Sequence, residues 1–405
     1  MNGPKWIPAL LLITVFQLVS FAQVVFTSSG MDTTALIILI IYMAFEWIYA
    51  IGSSIILPKH SPALEFMAFF LTGISLAIVT DKGTNMLLTQ FIAVMIGFIF
   101  FVLILWMIAN VDRAEKFRIP MAGIAVALLV FGLIFARNTN GAYNWVSIGN
   151  FSFQPSEIVK IAFIFVGAAT LEKIQTSKNI RNYALFAIVC VALLFLMRDL
   201  GTALIFFFTF VVLAFLRSGD TRTILFSIIA AAMAAVLVVL VKRNYVMNRF
   251  ATYRHIWDSP YGSGMQQTRV LTYSVSGGLL GMGIGQGKLR NIFAATEDLV
   301  FGVVCEEWGL IIGFLVCISY IILFIHSIRN AKGAHSTFYS IASCAAGSLL
   351  LFQAALNIFG VTDFLPMTGI TLPFISRGGS STVSCWGLLA FIKAADNQTW
   401  AGGKS

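Results

Sequence analysis

Charge is scarce in this chain. Of 405 residues only 11% are Asp, Glu, Lys or Arg, less than half the share usual in soluble domains, which excludes a globular fold with an ordinary wetted surface. Histidine is rarer still: His60, His255, His326 and His335 are too scattered for a histidine metal site. Cys190, Cys305, Cys317, Cys344 and Cys385 all lie in apolar segments, odd in number and without metal spacing, and read as reduced packing residues. No HExxH, Walker loop or GxSxG occurs, so the metalloprotease, nucleotide-binding and serine-hydrolase signatures are missing. What fills the chain is apolar: 59% hydrophobic and 14% aromatic residues, Phe far the commonest of the aromatics. This composition predicts an all-α polytopic membrane protein.

A spanning helix needs about 20 mainly apolar residues. Candidates fall at 6–26, 34–57, 62–80, 87–109, 119–136, 155–171, 182–198, 201–217, 222–241, 299–327, 337–361 and 380–395. The first is long and lacks a small-x-small cleavage site, so it is expected to be a retained helix rather than a secretory signal. If Lys5 is inside, the loops on its side hold Lys59, Arg113, Lys116, Arg118, Lys173, Lys178, Arg181, Arg217, Arg222, Arg329 and Lys332. The C-terminus adds Lys393 and Lys404, whereas the opposite short loops hold only Lys82, Arg137, Arg198 and Arg377. That bias predicts a multi-pass protein with both termini cytoplasmic. The net charge of +9 is therefore first a topological signal, and no nucleic-acid partner is expected.

One segment breaks the pattern. Residues 242–297 lie outside yet carry Lys242, Arg243, Arg249, Arg254, Arg269, Lys288 and Arg290 against Asp258 and Glu297. Long loops escape the topological rule, so these cations are free to meet an anion: a phosphate group first, or anionic lipid headgroups. A structureless loop of this length is improbable. Short amphipathic helices are expected on runs such as 265–280, with sharp turns at the glycines of 277–285.

Four stretches carry candidate chemistry. In FQPSEIVK, 153–160, Pro155 suits the first helical position and Glu157 can fold back as in a capping box. Lys160, three residues on along the same face, would lie inside the membrane, where an ion pair with Glu157 lowers the burial cost and such pairs face a cavity. In MRDLGTAL, 197–204, Arg198 and Asp199 mark an outer turn, either paired with each other or serving a ligand. In TGITLPFISRGGSS, 368–381, Gly, Pro and Ser interrupt apolar sequence at membrane depth, which is tolerated where protein or water covers the backbone. There Ser380 and Ser381 open the last helix beside Arg377, as an anion site or a plain turn. Finally, EDLVFGVVCEEWG, 297–309, places Asp298 at a helix mouth, as a cap or as a base, and Glu306 and Glu307 two turns deeper as partners for buried cations.

Taken in order, FQPSEIVK, RDLGTAL, EDLVFGVVCEEWGL and FLPMTGITLPFISRGGSS closely resemble the SEDS family (shape, elongation, division and sporulation), which includes RodA and FtsW. The likeness runs from about residue 62 to 395. It implies a ten-helix core of a peptidoglycan glycosyltransferase that polymerises lipid II into glycan strands at the outer face of the bacterial cytoplasmic membrane, beside a class B penicillin-binding protein. Residues 1–61 would then be an added N-terminal helix pair. The core would occupy 62–405, with a large extracellular catalytic loop at about 242–298 between core helices 7 and 8. The family's catalytic aspartate falls at Asp298. Substrate contacts are expected from Gln154, Glu157, Lys160, Arg198, Asp199, Arg249, Arg377, Ser380 and Ser381. The chain departs from the family pattern in four places: Asn144 replaces an arginine in G-A-x-R-W, Arg198 stands in Q-P-D-L-G-T-A, Arg377 in S-Y-G-G-S-S, and Glu297 replaces the threonine before the aspartate.

The chemistry fits these residues. A diphosphate-linked sugar donor needs cations for its leaving group and a base for the acceptor hydroxyl. A divalent cation, magnesium or manganese, would suit such a leaving group beside Asp298, although the sequence does not require one and no metal ligands are assigned. The competing classes are a lipid II flippase and a non-catalytic scaffold for cell-wall enzymes. A transporter should show paired broken helices, and only one clearly broken segment is visible.

Overall fold

The computed structural model describes residues 6–27, 32–56, 61–139, 142–148, 151–172, 177–218, 222, 225 and 252–396. The expected span 222–241 and Arg249 lie outside the described residues. Five helices lead the chain: α1 (Ile7–Thr27), α2 (Thr33–Ile56), α3 (Ala63–Thr80), α4 (Thr84–Ile108) and α5 (Val111–Phe135). After a small sheet come α6 (Pro155–Leu171), α7 (Ser177–Leu196) and α8 (Leu200–Ser218). The long loop carries α9 (Met265–Ser276), and α10 (Val300–Glu307), α11 (Gly309–Gly333), α12 (Thr337–Val361) and α13 (Gly379–Ala394) complete the order. Eight of these helices are long and apolar enough to cross a membrane.

The apolar runs set most boundaries to within a few residues, with three instructive differences. Helix α5 starts eight residues before its expected apolar run, because Asn110 caps a polar first turn by accepting from the Asp112 and Arg113 N–H groups. The run 299–327 is not one helix. It breaks between Glu307 and Gly309, where Gly309 adopts φ +85°, and a Cβ there would sit 2.3 Å from the Leu279 carbonyl oxygen. Glu306 and Glu307 therefore end a short loop helix and do not lie two turns into a membrane span. The all-α expectation also needs an addition: β1 (Arg137–Thr139), β2 (Ala142–Ile148) and β3 (Phe151–Phe153) form an antiparallel sheet in the order β1-β2-β3. The Tyr143 N–H donates to the Met197 carbonyl at 2.8 Å, which ties this sheet to the turn between α7 and α8.

Helix α13 is the axis of the bundle. Its residues from Ser380 to Ala394 are almost all buried, polar in the first two turns and mainly apolar beyond, as befits a helix enclosed by others. It packs on α3, α4, α6, α11 and α12, with Trp386 wedged among Phe69, Phe98, Phe101 and Phe374.

Helices α1 and α2 stand at the edge of this bundle. Each is only one-third buried, against more than four-fifths for α3. Some of their polar groups answer one another, Gln17 donating to Glu46 at 2.8 Å and Trp47 to Thr14 at 3.0 Å, while Tyr42 donates to the Phe69 carbonyl of α3 at 3.1 Å and Ser20 accepts from Trp308 at 3.1 Å. Tyr49 also donates to Glu65 of α3, but Glu65 keeps an ion pair with Lys393 of α13 at 3.3 Å whether or not α2 is present. We expect a chain lacking residues 1–58 to remain folded and, having lost an even number of spans, to keep its orientation. A monodisperse peak in detergent together with unchanged sidedness of a loop label would bear this out; aggregation would make the pair integral to the core.

Candidate functional site

The site lies on the face of the bundle that carries the long loop, where α6, α8, α12 and α13 begin or end. Pro155 opens α6, and its first two turns carry Glu157 and Lys160 inward. They are 4% and 1% exposed and form an ion pair at 2.7 Å. The Lys160 ammonium also donates to Gln353 Oε1 on α12 at 2.9 Å, and Ser384 of α13 donates to the Glu157 backbone carbonyl at 2.7 Å. The pair thus sits in the interior between three helices, bonded to protein groups.

Gln353 carries the contact outward. Its Nε2 donates to the carbonyl and hydroxyl oxygens of Thr371, at 3.0 and 3.2 Å, and the Thr371 hydroxyl bonds Ser381 at 2.8 Å. Ser380, the neighbour on α13, accepts the Gln154 N–H at 3.2 Å. Gln154 in turn donates to Asp199 Oδ2 at 2.8 Å, where Asn144 of β2 also donates at 3.3 Å. The other Asp199 oxygen accepts the Thr202 N–H at 3.1 Å and so caps α8. Arg198 adopts φ +59° and holds its guanidinium 5.6 Å from the Tyr143 ring centroid.

Asp298 enters from the loop. Its N–H donates to the Ala294 carbonyl at 3.0 Å, and α10 starts two residues later with Leu299 in the capping position. Asp298 is half-buried, and Gly369 lies against its carboxylate: a Cβ at Gly369, which has φ +68°, would stand 3.5 Å from Asp298 Oδ2. The Asp298 backbone carbonyl accepts from Asn357 of α12 at 2.8 Å. Next to it, Glu297 pairs with Arg377 at 3.0 Å, and the Arg377 N–H donates to the Thr296 carbonyl at 2.7 Å. The segments 294–298 and 366–378 are therefore fastened together on both sides of the aspartate.

Glu306 and Glu307 hold the loop from below. Glu306 accepts the Lys288 and Leu289 N–H groups at 2.7 and 2.9 Å, and Glu307 accepts the Gly285 N–H at 3.1 Å. Glu307 faces Arg290 at 3.5 Å, Arg290 pairs with Asp81 at 2.8 Å, and Lys82 donates to the Arg290 carbonyl. Of the two glutamates, only Glu307 holds a basic side chain; Glu306 holds backbone. Burial pushes the Glu307 carboxyl up to about 7, although Arg290 and the Gly285 N–H pull it down. A raised carboxyl binds its proton more tightly in the folded loop, so its contribution is complete below the ordinary value of 4.5 and is lost as pH rises through about 7. Amides of 284–290 should therefore open more readily at neutral than at acid pH, after correction for intrinsic exchange, and Glu307→Gln should flatten that dependence. The same slope in wild type and variant would assign it to another group.

The structure thus brings Gln154, Glu157, Lys160, Asp199, Ser380 and Ser381 into one hydrogen-bonded set, with Asp298 and Arg377 at its rim. Sequence reading missed Gln353, Asn357 and Thr371, and marked Asn144 only as a departure from the family pattern. The signal was present in Gln353 and Asn357, two amides one turn apart in an apolar helix. Among the described residues no three His, Cys, Asp or Glu side chains converge.

The family model described as "Cell cycle protein", FTSW_RODA_SPOVE, matches residues 55–400. The chain belongs to this FtsW/RodA/SpoVE family. The match begins as α2 ends, so α1 and nearly all of α2 precede it. Relatives agree. A probable peptidoglycan glycosyltransferase FtsW of Buchnera aphidicola is 32% identical over 291 residues, 68% of this chain and 71% of that protein. Stage V sporulation protein E of Bacillus subtilis is 34% identical over 267 residues, 64% of this chain and 72% of that one. Among solved structures, a chain from a peptidoglycan synthase complex that coordinates polymerization and crosslinking aligns with TM-score 0.69 and 25% identity, over 83% of this chain and 97% of that one. RodA of Thermus thermophilus aligns with TM-score 0.62 and 24% identity, over 84% and 98%, and shares the fold.

Proposed function

We propose that this FtsW/RodA/SpoVE-family protein is a peptidoglycan glycosyltransferase that polymerises lipid II at the outer face of the cytoplasmic membrane, with both termini inside and Asp298 as general base. The observation that carries the reading is the placement of Asp298. It is half-exposed at the junction of a basic loop and the broken segment 366–378, where a headgroup can reach while its lipid tail stays in the bilayer. Asp298 takes the proton of the acceptor sugar hydroxyl as that oxygen bonds to the anomeric carbon of the donor. The donor's bond to its diphosphate breaks, and the departing charge meets the loop's arginines and lysines. Arg198, whose guanidinium lies over the ring of Tyr143, or Arg377 beside Glu297 supplies the charge that Asn144 leaves out of the family pattern. A class B penicillin-binding protein is the expected partner, in keeping with the synthase complex of the solved relative.

Polymerisation of purified lipid II, with and without that partner, tests the reading. Glycan strands of many disaccharides are the expected product. Bound but unpolymerised lipid II in the presence of the partner would point to a scaffold, and movement of lipid II across vesicles without strand formation would point to a flippase.

A further inference from the structure

We propose that Asn357 is the positioning residue for Asp298, clamping the loop that carries the aspartate to the broken segment beneath it; this rests on Asp298 being the base. Asn357 projects from α12 into the protein, 3% exposed. Its Nδ2 donates to the Asp298 carbonyl at 2.8 Å and to the Ile370 carbonyl at 2.6 Å. Both partners are carbonyl oxygens, which only accept, so the nitrogen must face them and the flipped amide is excluded. The remaining atom, Oδ1, is buried without a hydrogen-bond partner among the described residues. An amide inside an apolar helix is costly, and here the acceptor half is left unsatisfied while both donor hydrogens are used. What those two bonds hold is specific. One is the backbone of Asp298 itself; the other is the residue after Gly369, where an added Cβ would stand 3.5 Å from the Asp298 carboxylate. Asp298, Asn357 and Gly369 meet along one crevice too tight to hold a water molecule. The amide therefore fixes both walls between which the carboxylate sits, and it does so through backbone atoms that no change at Asp298 alters.

Misplacing a catalytic group by about 1 Å costs on the order of a hundredfold in rate. Asn357→Leu, in the full chain with its partner, should lower kcat by about ten- to a hundredfold, with little change in KM for lipid II and with partner capture intact. Asn357→Asp separates positioning from mere filling. A protonated aspartic acid keeps one O–H donor for the two carbonyls, whereas its ionised form presents none. Its deficit relative to wild type should shrink as pH falls from about 8 to about 5.5, while the leucine deficit stays level across that range. Deficits that run parallel in the two variants at every pH and follow their loss of thermal stability would make Asn357 a packing residue. Near wild-type kcat in Asn357→Leu, where Asp298→Asn is inactive, would overturn the clamp and leave the base in place. An active Asp298→Asn would overturn the base itself. If Asn357→Leu does not fold, the aspartate profile decides alone, and a deficit that fails to shrink toward acid pH overturns the proposal.

Discussion

Replacing Asp298 by Asn should cut glycan polymerisation by roughly a hundredfold or more, the scale expected for losing a positioned base, while the protein folds and captures its partner as before. The substitution preserves shape and volume. Its backbone contacts, the N–H to Ala294 and the carbonyl to Asn357, belong to atoms the change does not touch. The Glu297–Arg377 pair beside it is likewise kept, so the two segments stay fastened. What is lost is the ability to accept a proton from the acceptor hydroxyl. Single-turnover polymerisation with lipid II, set beside thermal stability and partner pull-down for the same preparation, separates a chemical loss from a structural one. An Asn variant that polymerises at near wild-type rate would reduce Asp298 to a loop residue at a helix mouth.

How much of this was legible depends on the physical signal each feature leaves. The spans were readable because a bilayer demands about 20 apolar residues in a row, and the Glu157–Lys160 pair because charges three apart share a helix face at a depth where charge needs a reason. The break at Gly309 was not. VFGVVCEEWGLIIGF is apolar almost throughout, and hydropathy runs straight across a glycine of positive φ whose place beside the Leu279 carbonyl leaves no room for a side chain. That misreading put Glu306 and Glu307 inside the membrane, whereas they clasp the loop segment 285–290 outside the span. The sheet at 137–153 also escaped, since β1 and β3 have only three residues each and the seven of β2, AYNWVSI, do not alternate strictly between apolar and polar. Asp298 was marked by its position at a helix mouth and by resemblance. Asn357 left only the trace of an amide one turn from Gln353 in an apolar helix, because its importance lies in which backbone carbonyls it reaches.

The largest stability effect is expected at the centre of the bundle. Lys160→Met fits the space but leaves the Glu157 carboxylate, one of whose oxygens already lacks a hydrogen-bond partner among the described residues, without its cation in protein interior. Breaking a buried pair from one side typically costs about 3–5 kcal/mol. Gln353 loses its donor as well, and through Thr371 the disturbance reaches Ser381 and the segment carrying Gly369. Activity should therefore fall along with melting temperature, in contrast to Asp298→Asn, which lowers activity alone. The double variant Lys160→Met with Glu157→Gln removes both charges and should recover most of the lost stability, because two neutral groups carry no uncompensated charge. Thermal unfolding of wild type, both single variants and the double, in one detergent, closes the cycle. Additive losses in the double variant would mean that the two side chains act separately, and that the 2.7 Å contact between them contributes nothing of its own.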